Sequence, residues 1–280
     1  MAKAFHERVD AAAVRADSLV CVGLDPDLSK FPASFQGMPV RKQIEAFNGA
    51  IIEATRDLVC AYKPNLGFYA AHGLDGLQAL IATREMIPSD IPVILDCKVG
   101  DIGSTATAYA KGYFDAWGFD AITANPYMGE DSLAPFLAYG DKGVIIICKT
   151  SNAGSGDLQD LTVTSGDRSA TLFETVASRC AGWNESHPAG IGLVVGATYP
   201  EQLATVRALA PNLPILLPGV GAQAGELEAS VRAGIDTNGR GLLVSSSRGI
   251  TYASRGDDFA EAARNAAMQL RDAVNGVRVA

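Results

Sequence analysis

The 280-residue chain is short of basic charge, of histidine and of cysteine, and each shortage excludes a class of function. Lys and Arg number 23 against 31 Asp and Glu, a formal net charge of −8, so the overall field repels nucleic acid and anionic membrane surfaces. An anionic small molecule would have to be held by a few cations and backbone N–H groups gathered locally. The five cysteines, Cys21, Cys60, Cys97, Cys148 and Cys180, are odd in number, scattered, and form no CxxC or Cys/His cluster, which predicts a reduced, cytoplasmic chain. The three histidines, His6, His72 and His187, are isolated and make no HxH or HExxH pattern, so they read as surface or turn residues rather than metal ligands. Ser104 and Ser247 have no histidine at a recognisable spacing, which removes support for a hydrolase triad. Met1 to Asp10 lacks the apolar core of a signal peptide, and no run approaches the ~18 apolar residues of a membrane span; a soluble, unexported protein is expected.

What remains is 48% hydrophobic and 19% charged, the balance of a chain that fills a core rather than one that stays disordered. Eight short β-rich apolar runs recur: 18–23, 60–63, 92–95, 120–124, 143–148, 190–196, 214–217 and 241–245. Segments of helical period lie between them, such as Leu172, Phe173, Val176, Ala177 and Cys180, or Leu203, Val206 and Leu209. Thr198, Pro200 and Glu201 predict a capping box with proline in the first turn. Val144 to Ile147 is apolar on both faces, as parallel strands covered by helices require. Eight βα units without a GxGxxG after the first strand predict one (β/α)₈ TIM barrel over residues 1–280, with 1–16 an N-terminal helical extension over the barrel bottom or at an interface. The Gly-, Ser-, Asp- and Thr-rich stretch Ser151 to Asp167 reads as one long irregular loop, a length usually reserved for function or disorder.

A βα-barrel gathers its chemistry where the strands end. Asp96 and Lys98 are two apart on the third strand and so share a face on strict alternation, with Cys97 turned to the helix layer as a buried small residue. Asp101 follows in the loop and Lys63 ends the neighbouring strand, so two lysines would alternate with two aspartates. Neighbouring carboxylates keep each lysine protonated, and a protonated lysine there can act as a general acid. The same spacing also suits a salt-bridge network that merely closes the barrel top. Gly219 to Gln223 and Arg248-Gly249 end the seventh and eighth strands, where barrels commonly hold phosphate; as a plain alternative, the glycines only turn the chain and Arg248 pairs with a surface carboxylate.

With Asp96-Cys97-Lys98-Val99-Gly100-Asp101-Ile102-Gly103-Ser104-Thr105 in view, the chain resembles the orotidine 5′-phosphate decarboxylases, most closely their longer bacterial branch. The resemblance covers nearly the whole barrel. It includes Gly23-Leu24-Asp25, Lys63-Pro64-Asn65, Asn125-Pro126-Tyr127-Met128-Gly129, Lys149-Thr150-Ser151-Asn152, Pro218 to Gln223 and Ser247-Arg248-Gly249-Ile250. Val99 stands where that branch often carries arginine. The resemblance implies a charged network of Lys63, Asp96, Lys98 and Asp101 with Lys98 as proton donor to C6. It implies ribose contacts from Asp25, Lys63, Asp101 and Thr105, a pyrimidine contact from Ser151, and phosphate contacts from Gln223 and Arg248. It further implies a homodimer in which Asp101, Ile102 and Thr105 reach the partner's site, and neither a metal nor an organic cofactor. Magnesium-dependent sugar-phosphate decarboxylases and aldolases share an Asp-x-Lys-x-x-Asp strand, but Lys63-Pro64-Asn65, Ser151-Asn152 and Ser247-Arg248-Gly249 argue against them. A non-catalytic nucleotide-binding barrel would be expected to have lost part of the charged network, and all four charged residues stand here.

Overall fold

The eight apolar runs become eight parallel strands because each is buried on both faces and needs a helix layer outside and a packed interior within. A computed structural model describes residues 4–220 and 224–278. The strands are β1 Val20–Gly23, β2 Ala61–Lys63, β3 Ile94–Val99, β4 Ala121–Ala124 and β5 Gly143–Lys149, then, after a hairpin, β8 Gly190–Val195, β9 Ile215–Pro218 and β10 Leu242–Ser246. They pair in the order β2-β1-β10-β9-β8-β5-β4-β3, every pair parallel. Single bridges between Tyr62 and Val93 and between Asn65 and Asp96 join the two ends and close the barrel.

The sequence places Ser151 to Asp167 in one irregular loop, and the structure corrects this. A 3₁₀ turn at Ala153–Ser155 and a short helix at Gly156–Gln159 lead into an antiparallel hairpin of β6 Thr162–Ser165 and β7 Arg168–Thr171. The strands of this hairpin are short and polar, and Thr and Val carry the β propensity that a Gly/Ser-weighted reading discounts. The expected capping box also moves. Pro200 takes the first helical position of Pro200–Leu209, which makes Tyr199 the N-cap and leaves Thr198 one residue outside. The reciprocal cap forms instead at Thr171 and Glu174, opening helix Leu172–Ser186.

Helix Ala4–Ala16 packs across the barrel bottom, at the N-terminal ends of the strands. Phe5 is wholly buried against the start of β5, where a Cβ on Gly143 would come within 2.5 Å of its ring. Arg8 donates to the buried Asp120 carboxylate at 2.7 Å, which also accepts from Arg84 at 3.3 Å. With the bottom plugged, the polar strand ends at the top face the open rim.

Candidate active site

Asp96 organises the mouth of the barrel. Its carboxylate accepts four hydrogen bonds: Oδ1 from Lys98 Nζ at 2.6 Å and Thr123 Oγ1 at 3.0 Å, Oδ2 from Lys63 Nζ and Asn65 Nδ2, each at 3.1 Å. Burial by itself would raise the Asp96 pKa; the charges of Lys63 and Lys98 and their hydrogen bonds outweigh it and hold the carboxyl down at about 2. Burial likewise opposes the charge on Lys63, and the carboxylates of Asp96 and Asp25 overcome it, so its pKa is raised. Lys63 is sealed in, with 6% of its side chain exposed, whereas 51% of the Lys98 side chain is exposed at the rim. Lys63 is the inner countercharge of Asp96, and Lys98 presents the more open ammonium at the mouth.

Asp96 and Lys98 meet as the sequence predicts, but not through simple alternation. Leu95 pairs with Ile122 and Val99 with Ala124, so β3 carries a bulge between them. Lys98 sits in the left-handed region at φ 46°, a conformation that costs a non-glycine residue on the order of 1 kcal/mol or more and that clusters at functional sites. The Lys98 N–H, freed from regular pairing, donates to Thr123 Oγ1 at 2.9 Å. Cys97 turns away from the mouth, as expected, with its thiol on the Thr123 carbonyl at 3.4 Å; burial pushes it up to about 12, so it stays an unreactive thiol.

Asp101 departs from the predicted alternation of charges. Within this chain its carboxylate accepts from the Ile102 N–H at 2.8 Å and forms no ion pair with Lys63 or Lys98. Gly100 and Asp101 lie beyond the end of β3, so the loop carries Asp101 outward with Ile102, 57% exposed, and the exposed Thr105. Asp25 is half-buried after β1 and accepts from the Asn65 N–H at 3.1 Å. Ser151 is exposed after β5, held close to β8, since a Cβ on Gly196 would lie 2.8 Å from its own. Arg248 opens the short helix Arg248–Thr251, is exposed, and among the described residues has no carboxylate partner. Gln223 lies outside the described residues.

Three residues to which the sequence reading gave no role of their own complete the site. Asn65 and Thr123 supply half of the donors to Asp96; a lone threonine in the apolar run Ala121-Ile122-Thr123-Ala124 was the available signal. Tyr252 donates its hydroxyl to the Asp25 carbonyl at 2.7 Å and accepts from the Asp27 N–H at 2.6 Å, tying the Asp25 loop to the helix that begins with Arg248. Nothing local marks it, because the contact spans more than 220 residues. A cavity of about 720 Å³ lies on the barrel flank, lined by residues such as Ile147, Leu158, Leu172 and Trp183. It holds none of the charged cluster at the mouth.

Gly23 sets the spacing between the first and eighth strand ends. A Cβ there would fall 1.7 Å from Ser247 Oγ and 3.1 Å from Ser247 Cα. Gly23→Ala is expected to displace Ser247 and with it Arg248, costing about 1–3 kcal/mol of stability; thermal unfolding checks this.

The comparisons with known proteins agree with this geometry. The family model described as orotidine 5′-phosphate decarboxylase / HUMPS family matches residues 18–265. An orotidine 5′-phosphate decarboxylase of Thermomicrobium roseum is 50% identical over 274 residues, covering 98% of this chain and 96% of its own. One from Azoarcus sp. is 52% identical over 276 residues, covering 98% and 99%. The solved Leishmania donovani OMP decarboxylase superposes with a TM-score of 0.83 at 42% identity over 99% of both chains. A closed eight-stranded barrel with a Lys-Asp-Lys cluster at its mouth, matched from end to end at this identity, places the chain in the orotidine 5′-phosphate decarboxylase / HUMPS family.

Proposed function

We propose that the chain is a carboxy-lyase that decarboxylates orotidine 5′-phosphate to uridine 5′-phosphate in pyrimidine synthesis, with Lys98 as the proton donor. The observation that carries this reading is the Lys98 ammonium, half-exposed at the mouth and fixed 2.6 Å from the buried Asp96 carboxylate. Breaking the bond from C6 to its carboxylate releases carbon dioxide and leaves the electron pair in an in-plane orbital at C6, outside the ring π-system. With no adjacent electron sink, electrostatics must lower the barrier. A preorganised ammonium stabilises the developing charge and then transfers an Nζ proton to C6; solvent reprotonates the amine. Lys63 and Lys98 keep Asp96 ionised, and Asp96 in turn orients Lys98.

The remaining assignments follow from the family resemblance. Asp25 and Lys63 hold ribose hydroxyls, Ser151 the pyrimidine edge, and Gln223 and Arg248 the phosphate. Asp101, Ile102 and Thr105 project from the rim of one subunit into the mouth of another, so a homodimer shares its sites. Exposed Ile102 and an Asp101 without an ion pair among the described residues suit that role. No metal or organic cofactor enters these steps. Phosphate contacts lie far from C6, yet their binding energy supports closure of the 151–167 segment and exclusion of water. Arg248→Ala is therefore expected to lower kcat/KM roughly 100-fold, since a charge-assisted hydrogen bond to phosphate is lost; steady-state kinetics would show it, and wild-type values would remove the phosphate assignment.

The function is tested by following the ultraviolet absorbance of orotidine 5′-phosphate with purified protein and a chelator, trapping the carbon dioxide. Conversion to uridine 5′-phosphate in the presence of chelator is the expected result. No conversion with uridine 5′-phosphate still bound identifies a binding barrel; neither conversion nor binding points to the magnesium-dependent sugar-phosphate relatives.

A further inference from the structure

Lys149 is a buried charge that the proposed chemistry does not use. It ends β5, two residues before Ser151, with 1% of its side chain exposed. The β5–β8 register shifts between Ile147 and Lys149, a bulge of the kind that re-aims a side chain at the end of a strand. The ammonium donates to Asp160 Oδ1 at 2.7 Å and to Ser155 Oγ at 3.4 Å, and stands 5.1 Å from the Tyr199 ring centroid and 5.9 Å from that of Phe173. Asp160 is its formal countercharge and is itself half-exposed. A second clasp lies beside the first. Gln159 Oε1 accepts from the Thr150 N–H at 2.9 Å while Gln159 Nε2 donates to Thr150 Oγ1 at 2.8 Å.

Residues 149–150 and 159–160 thus form the neck of a closed loop, and Ser151 lies just inside it. The other side of Ser151 is pressed on β8, where the Gly196 N–H donates to the Lys149 carbonyl at 2.8 Å. An ammonium taken out of water costs several kcal/mol unless it is paired, and two aromatic faces offset only part of that. If the 153–160 segment lifts away, the ammonium loses Asp160 and Ser155 together. The charge on Lys149 therefore holds the segment down, and the segment holds Ser151.

We infer that Lys149 is a positioning residue: its ion pair with Asp160 docks the 153–160 segment and so sets Ser151 against the pyrimidine of the substrate. This rests on the reading of Ser151 as a substrate contact. The test compares Asp160→Asn, Asp160→Glu, Lys149→Met and the Lys149→Met/Asp160→Asn double variant in the full chain. Orotidine 5′-phosphate kinetics, uridine 5′-phosphate affinity and hydrogen exchange over residues 150–161 are measured on each. Asp160→Asn is expected to raise KM and weaken product binding about tenfold with a smaller change in kcat, and to speed exchange in the segment by at least a similar factor. Asp160→Glu should restore most of the affinity. The double variant should bind better than Asp160→Asn, because the stranded charge is gone. Wild-type KM and exchange in Asp160→Asn, or strictly additive effects in the double variant, would overturn the inference. Exchange is read without substrate, so it decides the docking role even if the decarboxylase reading fails, and Asp160→Asn, altered at a half-exposed position, decides it if Lys149→Met does not fold.

Discussion

Lys98→Ala is expected to abolish turnover of orotidine 5′-phosphate, by on the order of 10⁴-fold or more, while uridine 5′-phosphate still binds. Two contributions vanish together. Proton transfer from a positioned acid contributes about 10²–10⁴-fold, and stabilisation of charge that develops in the transition state contributes on the order of 10²–10³-fold for one donor. Both act at C6, and the product carries no charge there, so its affinity has little to lose. The Asp96 carboxylate keeps Lys63, Asn65 and Thr123 as partners in the variant, which preserves the fold. Single-turnover assays with carbon dioxide trapping, set beside uridine 5′-phosphate titration, separate the two effects. Unchanged turnover would refute the role of Lys98.

Asp96→Asn is expected to be costly in stability as well as in rate. The carboxylate is the countercharge of Lys63, whose side chain is 6% exposed, and removing one member of a buried pair costs about 3–5 kcal/mol because the other is left uncompensated. Thermal unfolding should fall by roughly 10 °C for a chain of this size. The pH dependence gives a second signature. The Asp96 pKa is depressed from 3.8 to about 2 in the folded protein, so the unfolded chain binds the proton more readily. Its contribution, about 2 kcal/mol by linkage, is complete above pH ~4 and is lost as pH falls toward 2. Lys63 has the opposite sense. Its raised pKa contributes stability below its ordinary value, lost only as pH rises through the folded value. Wild type should therefore lose stability between pH 4 and 2 more steeply than Asp96→Asn, as denaturant midpoints across that range would show. Parallel curves would mean that Asp96 is no better stabilised as an anion in the folded state than in the unfolded one.

Strand and helix order was legible along the chain because each barrel strand is buried on both faces and each helix on one, and those patterns are local properties of the sequence. The charged residues of the third strand were legible for the same reason, and so was the position of Arg248 after the eighth. The hairpin of β6 and β7 was not, because weakly apolar strands of four residues carry no distinct period. Asn65 and Thr123 became site residues only when β2, β3 and β4 came side by side, and Tyr252 only when the last βα unit closed onto the first.

By itself the sequence determined the barrel, its family and the identity of the charged groups at the rim, since short-range periodicity and contiguous motifs encode all three. Tertiary structure alone decided which of those groups meet. The β3 bulge brings Lys98 onto Asp96, the loop carries Asp101 away from both, and the neck at Lys149 and Asp160 encloses Ser151. Each depends on register and on contacts between strands, and a one-dimensional pattern does not contain the free energy that chooses among them.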